Sequence, residues 1–204
     1  MAVSVIVSPV LSVYGGGNPV TASFTTVAGG NCLVMLGKDE VTVTPTFNGV
    51  ALTVAVAAGT SWRPWIYYLI NPPVGTYTAS VECSGANQRG FAVLELAGVN
   101  PASPIGNTQT AFAGAPPISV TVTGMVTGDL CLDCIGGGGA DTPPTIGADQ
   151  SSIMNRSNIS FQAASYQSET GGVMSWSAWD AGESAYMVAA NFRQFPGGNQ
   201  VIWY

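Results

Sequence analysis

Glycine, proline and asparagine break this chain so often that its apolar residues fall into short runs, each about the length of a β-strand. The 26 glycines and 13 prolines are spread along all 204 residues, among valine, threonine, serine and alanine. That is the pattern of many strands joined by turns, with helix a minor component. The longest apolar run, around Val50 to Ala58, is interrupted by Thr53 and falls short of the roughly 18 residues that cross a bilayer.

The clearest local signal is a hairpin. Val41 to Phe47 and Val50 to Val56 flank Asn48-Gly49, the residue pair that supplies the two positive φ angles of a type I′ turn. Pro45 cannot donate to a ladder, so the hairpin is expected at a sheet edge or beside a bulge. Met1 to Val7 alternates like a first strand and lacks the basic region and cleavage site of a signal peptide, which predicts synthesis in a cytoplasm. The N-x-S sequons at Asn155 and Asn158 are then expected to stay unmodified. Further strands are predicted over residues 31–36, 65–70, 77–83, 91–96, 118–123, 130–135, 159–166, 173–176 and 185–192.

Laid on itself with an offset near 98, the chain matches itself weakly. Gly30-Asn31-Cys32-Leu33-Val34 aligns with Gly128-Asp129-Leu130-Cys131-Leu132, Pro45-Thr46-Phe47 with Pro144-Thr145-Ile146, and Tyr68 with Tyr166. Later, Gly75 to Thr78 meets Gly171 to Met174, and Phe91 to Leu94 meets Ala185 to Val188. Residues 98–117 carry Pro101, Pro104, Pro116 and Pro117 and read as a crossover between halves of about 1–97 and 118–204. One sandwich with four main strands from each half and two small sandwiches in tandem both fit. The favoured reading is all-β, a single jelly-roll-like antiparallel β-sandwich domain over 1–204 built from two degenerate repeats.

Chemistry is constrained by what is missing. No histidine occurs, and five basic residues face eleven acidic ones. Ser-His-acid and Cys-His nucleophile arrangements and the commonest metal sites are thereby removed. Lys38 is the sole lysine, placed by sequence in a turn beside Asp39 and Glu40 that keeps it protonated. The net charge of −6 gives no footprint for nucleic acid or anionic membrane. No catalytic, cofactor-binding or metal residues are assigned, and no cofactor is expected.

Cys131 and Cys134 have C-x-x-C spacing but lie in one predicted strand, where positions three apart point to opposite faces; with Cys32 and Cys83 they are expected as buried free thiols. Gly136 to Gly139 lacks the following Lys-Ser or Lys-Thr of a phosphate loop and is expected as a flexible loop. Asp129, Asp133 and Asp141 could gather calcium but read better as solvated turn acids. A glycosidase reading would pair carboxylates among Glu82, Glu95 and Glu183, with Trp62, Trp65, Trp176 and Trp179 stacking on sugars, and a glycan- or receptor-binding module would use Trp62, Trp65 or Trp179.

Charged residues make up 8% of the chain, so hydroxyls, amides and glycine must cover its outside. Neutral faces lose little on desolvation against another protein, which points to a subunit of a larger assembly. After Phe195 and a Gly-Gly hinge the sequence runs into Val201-Ile202-Trp203-Tyr204, so Phe195, Val201, Ile202, Trp203 and Tyr204, with Val3 and Val5, are the partner-interface candidates.

The stretches Tyr67 to Val81, Gly90 to Val99, Gly128-Asp129-Leu130, Ser165-Tyr166 and Met174-Ser175-Trp176 resemble the β-sandwich virion proteins of tailed bacteriophages, among them capsid decoration, or cement, proteins. The resemblance implies homotrimers on the virion exterior, seated between capsomers of the major capsid protein and stabilising the shell. It carries no catalytic motif.

Overall fold

The computed structural model describes residues 1–11, 18–39, 43–59, 63–82, 90–138, 142–157, 160–168, 172–180 and 182–196. Among them there is no helix. The first half contributes β1 (Ser4–Leu11), β2 (Val20–Thr26), β3 (Cys32–Asp39), β4 (Pro45–Phe47), β5 (Val50–Ala51), β6 (Thr53–Ala57), β7 (Arg63–Ile70), β8 (Gly75–Val81) and β9 (Gly90–Ala97). The second contributes β10 (Ile105–Ala113), β11 (Ile118–Thr121), β12 (Leu130–Gly138), β13 (Thr145–Ile146), β14 (Ser151–Ser157), β15 (Ser160–Gln167), β16 (Val173–Ser177) and β17 (Ala185–Phe192).

These strands form an antiparallel sandwich of four sheets. The large sheets have the orders β1-β9-β3-β7-β6 and β10-β17-β12-β15-β14, and the small ones β2-β8-β4-β5 and β11-β16-β13. Except that β5 has no counterpart among the described residues, the second half repeats the first strand for strand. In each, the first strand lies beside the last and the second beside the next to last, a nested Greek-key winding. Each half thus supplies two sheets of its own, where the favoured expectation had four strands from each half in one shared sandwich.

Three apolar cores fill the spaces between layers. One, with Leu33, Phe47, Trp65 and Phe91, lies between the first half's two sheets; another, with Ile135, Phe161, Met174 and Trp176, lies between the second half's. Between the two large sheets, Val34, Leu36, Leu94, Leu132, Val188 and Phe192 build a core that both halves share. This layering explains the sequence pattern. Central strands β3, β9 and β12 are buried on both faces and read as continuous apolar runs, whereas β11, with one face outward, alternates buried and exposed.

The self-match holds for the central strands. Val34 pairs with Tyr68 and Leu94, and Leu132 pairs with Tyr166 and Ala190, so Tyr68 and Tyr166 are true counterparts. The last strand needs a shift of two from the sequence alignment: Leu94 answers to Ala190, not Val188. Asn48 and Gly49 have φ of 51° and 75°, and their hairpin forms between β4 and β5.

Two breaker-based expectations are corrected. Residues 98–117 are not all crossover, because β10 runs nine residues through them, paired to β17. Gly136 to Gly138 are not loop but the buried end of β12. A Cβ on Gly137 would collide with the edge of the Phe161 ring, at Cε1 and Cζ, and lie 2.7 Å from the Ser184 carbonyl oxygen, so the absence of a side chain is what lets β12 pass there.

Candidate functional site

The two halves pack face to face, and at one end of that contact the chain just beyond β9 meets the chain just beyond β17. Val99, two residues beyond β9, and Gln194, two residues beyond β17, pair in an antiparallel bridge. Asn100 N–H donates to the Arg193 carbonyl at 2.8 Å, and Phe195 N–H to the Gly98 carbonyl at 3.2 Å. The residues immediately before β3 and β12 hold this bridge. Asn31 Nδ2 donates to the Val99 carbonyl at 2.6 Å while its Oδ1 accepts from Val99 N–H at 3.1 Å. Asp129 accepts from Gln194 N–H and from Asn191 Nδ2, both at 2.9 Å, and from Val126 N–H at 3.2 Å.

A cleft of about 260 Å³ opens beside the bridge, lined by Asn100, Val126, Asp129, Arg193, Gln194 and Pro196. It is smaller than the sites that enclose most small ligands, roughly 300–1,000 Å³. Its ionisable groups are engaged: both Asp129 oxygens accept hydrogen bonds, and Arg193 Nη1 donates to Ser103 Oγ.

Around the same end of the sandwich stands a set of exposed apolar side chains. Val27 and Val74 flank the paired residues Thr26 and Gly75, Val173 opens β16 opposite Thr121, Val126 borders the cleft, and Phe195 hangs on Gly98. These five are 38–61% exposed.

The acidic residues behave otherwise than the sequence suggested. Asp129 and Asp133 are buried, which corrects the solvated-turn expectation. Asp133, inside the second half's outer core, accepts from Ser165 N–H, Ser165 Oγ and Trp176 Nε1, each at 2.7 Å, and from Gln150 Nε2 at 3.4 Å. Burial pushes its carboxyl up to about 7, against the pull of those donors. Asp141 lies outside the described residues, and among those described no acid, cysteine and histidine cluster could hold a metal.

Glu95 is also buried: its Oε2 accepts from Val27 N–H at 2.9 Å, fastening the turn after β2, and desolvation raises its pKa. Glu82 follows β8 at the far end of the first half from Val27, so the structure does not bring it to Glu95 as a catalytic pair. Glu183 sits in a turn of the other half, its carbonyl accepting from Trp179 Nε1. Trp65, Trp176 and Trp179 are core residues with no face for a sugar, and Trp62 lies outside the described residues.

Lys38 is not in a turn, because β3 continues through Asp39; it is buried, and its Nζ donates to the Gly137 carbonyl at 3.0 Å across the shared core. Cys131 and Cys134 point into different cores, as strand geometry requires, and with Cys32 are buried free thiols; Cys83 lies outside the described residues. Of the interface candidates, Phe195 is exposed. Val3 is buried in the shared core with its N–H on the Gly128 carbonyl, and Val5 packs half-buried against that core, so both serve the chain's own packing. Val201, Ile202, Trp203 and Tyr204 lie outside the described residues.

Of this rim the sequence pointed to Phe195 alone; its valines stand singly in turns or at a strand end, and only the two-half winding collects them. No protein-family model matches the chain, and no curated protein matches it.

Proposed function

We propose that this chain is a non-catalytic structural subunit that works by seating its surface against other polypeptides, as a decoration protein bound to the major capsid protein on the outside of a tailed-bacteriophage head. The observation that carries the seating is the rim of Val27, Val74, Val126, Val173 and Phe195 around one end, in a chain with few charges to desolvate. Singly exposed valines are ordinary on a surface; four of them and Phe195, standing around the one end of the sandwich, make a contact face. The engaged cleft and the separation of Glu82 from Glu95 support the non-catalytic part. The viral setting comes from the sequence resemblance.

Two measurements test this. Mass spectrometry of gradient-purified particles is expected to find the chain at stoichiometric levels. Purified protein is expected to co-sediment with heads lacking it, and Val74→Asp with Val126→Asp to weaken that binding about tenfold or more, since each charge is buried in the contact. Absence from the particles together with no co-sedimentation overturns the reading.

A further inference from the structure

Unpaired sheet edges attract other strands, and folded proteins blunt them with short length, charge, proline or bulges. Most edges of this molecule are blunted so. Strands β5 and β13 have two residues and β11 has four. Strand β1 contains Pro9 and two register shifts, β6 a shift between Val54 and Val56, and β14 a shift between Ser152 and Met154 together with Arg156.

Two edges are less protected. In β2 every large apolar side chain is turned inward, Phe24 among them, and Thr21, Ser23 and Thr25 face out. Strand β10 has one shift, between Ile105 and Thr108, and Asn107 there donates to the Thr123 carbonyl, but from Thr108 to Ala113 it pairs with β17 regularly for six residues, and β17 is the one strand beside it in its sheet among the described residues. This edge also carries Phe112, 59% exposed, its ring 4.8 Å from that of Tyr186. The sequence between Glu95 and Asp129 contains no charged residue, so β10 itself carries no charge to repel a second copy; Arg193 lies beside Gly106 at the start of the strand.

We propose that the outer edge of β10 pairs antiparallel with the same edge of a second copy, joining two five-stranded sheets into one continuous sheet. A two-fold axis at Thr110 sets Thr110 opposite its own counterpart and Phe112 opposite Thr108 of the other copy, which covers the exposed ring. Main-chain hydrogen bonds supply the attraction and the aromatic ring fixes the register. This deepens the assembly reading by naming a self-contact, and it rests on that reading only for its biological use.

Sedimentation equilibrium of the full chain over about 1–100 µM tests it. The expected mass is that of two chains. Thr110→Lys, which sets two ammonium groups against each other on the axis, should weaken the dimer about tenfold or more with an unchanged circular dichroism spectrum, and Phe112→Lys should act likewise. Ser23→Lys on the β2 edge should leave the dimer intact. A monomer throughout, a trimer, or a dimer indifferent to Thr110→Lys overturns the proposal. Co-sedimentation of the Thr110→Lys monomer with phage heads separates the two ideas: continued binding upholds the seating surface whatever the fate of the self-contact.

Discussion

Asp133 stands in β12 where Met35 stands in β3: each is the fourth residue of the central strand of its half, and each points into that half's outer core. One repeat fills the position with a thioether among apolar neighbours. The other uses a carboxylate that ties β12 to Ser165 of β15, Trp176 of β16 and the turn at Gln150. At this position the second half is therefore sensitive to pH and the first is not.

That difference gives a stability profile with a definite sign. Asp133 titrates near 7 in the folded chain, above its ordinary range near 4, so between those values the native state holds a proton that the unfolded chain has released. Its contribution is full below about pH 4, falls as pH rises to about 7 and is flat above, a change of up to about 4 kcal/mol. Asp133→Asn leaves one carbonyl oxygen for donors that now share two, a loss of about 1–3 kcal/mol. Urea midpoints of both proteins from about pH 4 to about pH 8 should show the native chain's advantage shrinking as pH rises and, at the full change, giving way to an advantage for Asp133→Asn. An advantage for the native chain that grows with pH, or stays constant, contradicts the assignment.

Gly137 is expected to tolerate substitution worse than glycines in turns. A methyl there must displace the Phe161 ring or the Ser184 carbonyl, both in a filled core. Gly137→Ala should cost about 1–3 kcal/mol by overpacking. Gly49→Ala meets no atom within 4 Å and should cost about 1 kcal/mol, through its φ of 75° alone. Urea titration at unchanged m-value distinguishes the two, and equal losses would show that β12 shifts freely at Gly137.

Thiol reactivity checks the layering directly. Cys32 and Cys134 face the shared core and Cys131 the second half's outer core, and burial raises all three thiols far above their usual range. In a Cys83→Ser background, an aromatic disulfide reagent should label none of them in native buffer and all three in denaturant. A thiol that reacts rapidly before unfolding would mean that its core is open.

Much of this arrangement was legible in the sequence, for a physical reason. Strands covered on both faces are mainly apolar, so β3, β9, β12 and β17 announced themselves despite the buried polar residue or two in each, and the Asn48-Gly49 pair named its turn. Edge strands were harder. Strand β10 is mainly threonine, glutamine and small residues because its outer side needs no apolar alternation, and β14 and β2 were missed likewise. Gly136 to Gly138 read as loop because a breaker and a residue chosen for close packing look alike in one dimension. Lys38, Asp129 and Asp133 read as turn residues because charge is ordinarily exposed, and Glu95 read as a candidate catalytic acid; their partners, the Gly137 carbonyl, Gln194 N–H, Trp176 Nε1 and Val27 N–H, are distant in sequence.

The shared core makes the two repeats unfold together. Leu132 lies in the layer that Val34, Leu36 and Leu94 complete from the first half, so a cavity at Leu132 is as much the first half's loss as the second's. Leu132→Ala should cost about 2–5 kcal/mol. Native-state hydrogen exchange should show protection falling by the same amount at the amides of β3 and of β12, since the openings that expose either must separate the large sheets. By contrast Met174→Ala, in the outer core of the second half, should loosen β11 and β16 first and leave β3 near its original protection. If Leu132→Ala lowers protection in β12 alone, each half carries its own stability and the central layer is a contact between independent units.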